Sequence, residues 1–324
     1  MAVPGKRHRR FGEKRILANV TPLQRYIAEE IATDHVDGLL SRREAVRRLS
    51  LLGIGTAGAA ALFAACSANK EQEPEASAPV TSSGAATVNA PPPGSQNAVP
   101  TEPVTWAGPR GELQGAWAAA VEPRGAVLVI HENKGLNDYI RSVAGRFGGI
   151  GYSALAIDLL SGQGGTATFA DPAEATAALS KLPPEEAVAD LKSGVDELAR
   201  RVPGRGLAAV GFCMGGGMVW RLLAAGEPRL AAAVPFYGPT PDNPDFSGSK
   251  NVAVLGIYAA QDQRVNASEP VARAALEKAG MVFELVTEPD ANHAFFNDTG
   301  ERYNAAAAAD AWQRVQDWFT RHVD

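Results

Sequence analysis

The 324-residue chain has two cysteines, five histidines and only 7% aromatic residues. Cys66 and Cys213 lie in contexts too different for a disulfide framework, and no Cys/His group has metal-site spacing. No cofactor or metal is therefore expected. Basic residues are scarce where a nucleic-acid surface would need them. Residues 1–48 carry 11 Lys/Arg against 6 Asp/Glu, whereas the remainder carries 20 against 30, for a net charge of -5 overall. This balance excludes nucleic acid as an expected partner. A long membrane-spanning run is also missing. Residues 49–65 are uncharged and rich in Leu, Ala and Gly, but such a stretch is short for a full hydrocarbon layer. No internal repeat is visible.

What is present divides into three parts. Residues 1–66 read as a leader, within which residues 22–40 have the pattern of an amphipathic helix. Residues 67–104, rich in Ala, Pro, Ser, Thr and Glu, read as a disordered tether unable to bury enough apolar surface to offset chain entropy. Residues 105–324 are long enough for one sizeable α/β domain. Short apolar runs at 125–130, 153–157, 206–210, 231–237, 251–258 and 281–287 alternate with helical stretches at 138–147, 184–199, 218–225, 267–278 and 303–320. A further strand or hairpin is expected at 113–121. Near-continuous apolar strands separated by helices predict a mostly parallel sheet covered on both faces.

Gly211-Phe212-Cys213-Met214-Gly215-Gly216-Gly217 follows one of those strands and precedes a helix. G-x-C-x-G in that context is the nucleophile-elbow pattern with cysteine in place of serine. Such a turn would lift the Cys213 sulfur out of the sheet, near amides that favour a thiolate and an oxyanion. A plainer reading is a glycine-rich turn with an inert buried thiol. In a parallel sheet functional groups gather at the carboxyl ends of strands. Glu132, Cys213, Asp262 and His293 all follow strands there, and Cys213, Asp262, His293 is the nucleophile–acid–histidine order of α/β-hydrolases. His293 would serve the thiol, and Asp262 would hold its other ring nitrogen. Taken singly, Asp262 could be a surface-turn residue, His293 a loop cap and Glu132 a strand-end carboxylate. A carboxylate within this cluster would need a proton or a hydrogen bond, which makes Glu132 an alternative partner for Cys213. His131 comes too early for the triad order and reads as structural.

These residues, with Asn292-His293-Ala294-Phe295, Gly151-Tyr152 and Ile157-Asp158-Leu159, resemble the dienelactone hydrolase family over roughly residues 105–324. The resemblance implies an α/β-hydrolase fold and hydrolysis of a small ester or lactone through a thioester acyl-enzyme. It implies that Glu132 contacts the resting Cys213 thiol and that the Met214 and Asn133 amides form the oxyanion hole. Members specialised for the anionic dienelactone clamp its carboxylate with arginines, one a few residues after the histidine; here Asn297 stands at that place. No arginine follows Asp158 either, although Arg141, Arg264 or Arg302 could compensate. With Tyr237, Phe295 and Phe296 as an apolar wall, a neutral or less acidic substrate is expected. Rival readings are a thioesterase, a cysteine peptidase, and a binding protein on a decayed hydrolase scaffold.

The leader has its own resemblance. Ser41-Arg42-Arg43-Glu44-Ala45-Val46-Arg47-Arg48 is similar to a bacterial twin-arginine signal, and Phe63-Ala64-Ala65-Cys66 to a lipoprotein processing box. These imply the twin-arginine export machinery as a partner, lipidation at Cys66, and a place outside the cytoplasmic membrane. Ala45 and Val46 replace the usual Phe and Leu, and Phe63 replaces a leucine. A monomer is expected.

Overall fold

The computed structural model describes residues 20–70 and 91–324. Eight strands form one sheet: β1 (Glu102–Gly108), β2 (Gly111–Ala118), β3 (Gly125–Ile130), β4 (Tyr152–Asp158), β5 (Gly206–Phe212), β6 (Leu230–Phe236), β7 (Ala253–Ala259) and β8 (Phe283–Glu288). Helices are α1 (Pro22–Val36), α2 (Arg42–Leu51), α3 (Thr56–Lys70), α4 (Asp138–Gly149), α5 (Pro172–Ser180), α6 (Pro184–Arg201), α7 (Met214–Ala224), α8 (Gln263–Asn266), α9 (Glu269–Ala279) and α10 (Ala305–His322). The strand order is β1-β2-β4-β3-β5-β6-β7-β8. β2 is antiparallel to β1 and β4, while the strands from β4 through β8 pair in parallel. This is the α/β-hydrolase arrangement.

The physical cause lies in the strand sequences. β3, β4 and β7 are buried along their whole length, and β5 and β6 along all but one residue each. Strands buried on both faces need helices on both sides. Phe147 of α4 meets Trp312 and Phe319 of α10 at 4.9 and 5.8 Å between ring centroids, closing one face. α6 and α7 pack together over β3 and β5 on the sheet. β1 and β8, at the edges, keep much of their length in solvent. The strand or hairpin expected at 113–121 is the second arm of the β1–β2 hairpin, whose first arm lies upstream at Glu102–Gly108, and α5 is announced in the sequence only by Asp171-Pro172 at its start.

Two compact units account for the described chain. Residues 20–70 join Ala170–Leu182 in one, and residues 91–169 with Pro183–Asp324 make the other. In the first, Thr21 and Gln24 form a capping box at the start of α1, with Pro22 at its first position. Ser41 caps α2, so Arg42 and Arg43 open a helix, and Arg47 pairs with Asp171 at 2.7 Å. Leu23, Ile27, Ile31 and Leu49 are buried. The uncharged run at 49–65 is broken at Leu52-Gly53-Ile54-Gly55 between α2 and α3. Among the described residues no helix is long and apolar enough to cross a membrane.

The expected tether ends earlier than residue 104. Residues 71–90 lie outside the described residues, but 91–101 belong to the sheet unit. Ser95–Asn97 forms a single 3-10 turn, and the Val99 amide donates to the Gly145 carbonyl of α4 at 3.0 Å. Backbone hydrogen bonding to a buried helix offsets the poor apolar content that suggested disorder.

Glu288, the last residue of β8, is buried with its carboxyl 3.7 Å from Arg314 of α10. Burial first, and then the Asp310 charge, push its pKa up from 4.5 to about 7 against the pull of Arg314. The unfolded chain therefore loses this proton at lower pH than the folded one. The contribution is fully present below about pH 4.5 and is lost as pH rises through about 7. Urea unfolding should show wild type losing on the order of 1–3 kcal/mol more than Glu288→Gln between those limits. Identical pH slopes in the two proteins would contradict this.

Candidate active site

The turn from β5 into α7 puts Cys213 at φ 56 and ψ -117, a conformation that side-chain-bearing residues rarely adopt. The helix begins at Met214, so three glycines lie in its first turns rather than before it. The Cys213 amide donates to the Phe236 carbonyl at 3.1 Å, and its own carbonyl accepts from Gly217 at 3.1 Å. A Cβ on Gly211 would stand 2.1 Å from the Gly215 carbonyl oxygen, so the turn folds directly back on its strand. A Cβ on Gly215 would stand 2.3 Å from the Ile130 oxygen and 2.6 Å from that of His131. The elbow is thus pressed against the end of β3, where Glu132 and Asn133 emerge.

His131 secures that end. Its Nδ1–H donates to the Glu132 carbonyl at 2.6 Å, and its Nε2 accepts from the Leu159 amide at 3.2 Å. Complete burial pushes the imidazole pKa down, in keeping with this neutral tautomer. The loop beyond is braced from β4. The Leu136 amide donates to Thr166 Oγ1 at 2.9 Å, and Thr166 donates through its hydroxyl and amide to Asp158 at 2.8 and 2.6 Å. Asp158, quoted above only within a matching stretch, is therefore the support of the Glu132 loop.

Asp262 follows β7 and caps α8, accepting from the Val265 amide at 3.2 Å. Its other oxygen receives the Nδ1–H of His293 at 2.5 Å. Burial is the largest single influence on Asp262 and raises its pKa. The charge and hydrogen bond of His293, the Arg264 charge and the Val265 amide together outweigh it, so the net shift is downward. Arg264, one of the candidate clamp residues, thus acts on Asp262. A ring nitrogen of His293 lies within 4.8 Å of the Cys213 sulfur. Cys213, Glu132, His293 and Asp262 are 2–5% exposed, so their charges interact in a largely water-excluded space.

Asn297 does more than mark an absent arginine. Its Nδ2 donates to Glu132 Oε2 at 2.7 Å, while its Oδ1 accepts from the Thr299 amide and hydroxyl at 3.0 and 2.7 Å. Both ends of the amide are thereby assigned. Met214 opens α7, where helix amides lack intrahelical acceptors, and Asn133 adjoins Glu132. Tyr237, at φ 33, lies edge-on to His293 at 5.3 Å and to Phe295 at 5.4 Å. Phe296 stacks on Phe212 at 5.4 Å and approaches Phe236 and Trp312, which places it in the aromatic core beneath the elbow. Cys66 lies in the other unit, where its sulfur accepts from the Thr33 hydroxyl at 3.8 Å. Among the described residues of the sheet unit, no three His, Cys, Asp or Glu side chains gather closely enough to hold a metal ion.

Comparison with known proteins agrees with this geometry. Residues 114–323 match the dienelactone hydrolase family. Two relatives carry the name "Putative carboxymethylenebutenolidase". The one from Escherichia coli (strain K12) is 36% identical over 213 residues, 62% of this chain and 78% of the relative. The one from Saccharolobus solfataricus is 30% identical over 238 residues, 63% of this chain and 92% of the relative. Among solved structures, the "Putative Dienelactone Hydrolase" of Klebsiella pneumoniae superposes with a TM-score of 0.59 at 29% identity, covering 68% of this chain and 99% of its own. A dienelactone hydrolase from Anabaena variabilis shares the fold, with a TM-score of 0.54 at 21% identity over 69% of this chain and 98% of its own. From its elbow, its strand order and these matches, the chain belongs to the dienelactone hydrolase family.

Proposed function

We propose that this hydrolase cleaves a small, neutral or weakly acidic carboxylic ester or lactone through Cys213. The observation that carries the reading is the Cys213 sulfur within 4.8 Å of a His293 ring nitrogen, with His293 Nδ1 on Asp262 at 2.5 Å. The Cys213 thiol passes its proton to Glu132, and the thiolate attacks the substrate carbonyl. The resulting oxyanion is held by the Met214 and Asn133 amides. The carbon–oxygen bond then breaks; His293, entering the cycle as an imidazolium held by Asp262, protonates the leaving oxygen and becomes neutral, and a thioester remains on Cys213. Water, losing its proton to the now neutral His293, attacks that thioester, and the departing thiolate regains its proton from Glu132. Asp262 holds the His293 tautomer throughout. Tyr237, edge-on to His293, and Phe295, packed on Tyr237, favour an uncharged acyl group.

Acid-quenched turnover of p-nitrophenyl butyrate, followed by peptide mass spectrometry, tests the chemistry. A butyryl mass increment on the peptide containing Cys213 is expected. Turnover with the increment on another residue, or with none, would overturn the nucleophile assignment. The Ser41–Arg48 and Phe63–Cys66 patterns extend the proposal to export by the twin-arginine route and a lipid anchor at Cys66. The intact mass of membrane-extracted protein, beginning at Cys66 with a diacylglyceryl increment, is the expected result there.

A further inference from the structure

The side of the site opposite Asp262 is held by the loop that follows His293. Arg146 of α4, only 1% exposed, donates from one nitrogen to both oxygens of Asp298 at 2.9 and 3.0 Å. Its guanidinium also meets Ser142 Oγ at 3.2 and 3.3 Å. The adjoining Asn297 is pinned by Thr299, which leaves Nδ2 a single direction, toward Glu132 Oε2 at 2.7 Å. The stretch from His293 to Thr299 therefore touches both partners of the thiol: His293 directly, and Glu132 through Asn297. Among the groups around Glu132, the Tyr139 phenol from α4 and the Tyr237 phenol after β6 are both fully buried. Burial first, and the Glu132 charge in addition, hold their pKa values well up, so both stay protonated.

We propose that Asn297 is a positioning residue for the reaction, fixing the rotamer of Glu132 so that its second carboxylate oxygen takes the Cys213 proton. The inference rests on the hydrolytic reading above. An amide serves this role differently from a cation. It orients the carboxylate by one directed hydrogen bond without adding positive charge. Arg146 is the anchor of the strap and Asp298 its counter-ion.

The test is Asn297→Asp, which keeps the shape and replaces the donor with an acceptor. Two carboxyl groups then face each other at hydrogen-bond distance, and the added negative charge near the sulfur disfavours thiolate. The kcat/KM for p-nitrophenyl butyrate should fall about 10- to 100-fold. The pH profile for Cys213 alkylation by iodoacetamide should move about one unit or more to higher pH. Asn297→Asp combined with Glu132→Gln restores a donor–acceptor pair. It should recover the wild-type thermal midpoint while kcat/KM stays depressed. If Asn297→Asp keeps kcat/KM and the alkylation profile within twofold of wild type, or if the double variant regains turnover, the positioning role is wrong. Alkylation reports on the thiol even without turnover. A failed hydrolytic reading would instead show as turnover surviving in Cys213→Ala.

Discussion

Cys213→Ala should reduce kcat/KM toward small esters by at least about 10⁴-fold while leaving the thermal midpoint within a few degrees of wild type. The activity loss follows from removal of the sulfur that lies within 4.8 Å of a His293 ring nitrogen. The residues flanking it in sequence, Phe212 and Met214, carry no nucleophile to replace it. The small stability change follows from the backbone. Alanine still has a Cβ, so φ 56 and ψ -117 remain as strained as with cysteine, at a cost of about 1–3 kcal/mol. Cys213→Gly should be equally inactive yet more stable than Cys213→Ala by about 1 kcal/mol, because glycine enters this region without steric penalty. Steady-state kinetics with urea unfolding of both variants checks the pair. Substantial turnover in either, or an alanine variant as stable as the glycine variant, would mean that the elbow does not hold a strained nucleophile.

Gly215→Ala should be strongly damaging to the sheet unit. Helix propensity favours alanine over glycine by about 1 kcal/mol, since position 215 lies inside α7. Steric overlap acts in the other direction and is larger. The new Cβ would lie 2.3 Å from the Ile130 carbonyl oxygen, a backbone atom of β3 that no rotamer change can move. Relieving it requires α7 and β3 to separate, breaking packing at the point where Glu132 leaves the sheet. The expected net loss is about 3 kcal/mol or more, with little soluble protein recovered. Gly217→Ala is the control, because its Cβ would meet the Pro239 ring at 3.3 Å and a small adjustment accommodates it. It should change stability by less than about 1 kcal/mol. Equal unfolding midpoints for the two variants would refute the close approach of elbow and strand.

Much of this protein was determined locally and could be read from the chain. Five apolar runs became buried parallel strands because a stretch such as Ala126-Val127-Leu128-Val129-Ile130 has no polar face to give to water. The elbow was equally legible, since glycines around a cysteine between strand and helix are a requirement of backbone geometry. The order Cys213, Asp262, His293 was visible because each residue follows a strand, and a parallel sheet brings strand ends to one edge. Other features depend on contacts across long separations. Glu132 and Asn297 are 165 residues apart, and no pattern in either neighbourhood announces their hydrogen bond. Arg146 and Asp298 are 152 apart, and each alone reads as an ordinary surface charge. Phe295 and Phe296 are adjacent and chemically identical, yet one packs on Tyr237 and the other enters the core beside Trp312. The left-handed turn at Ala294, with φ 62, comes just before this pair, and the tertiary packing that imposes it sets which ring faces which way. Strand periodicity and turn chemistry act over a few residues and are encoded there. The partner of a buried polar group is chosen by the whole fold, through the cost of leaving that group without one.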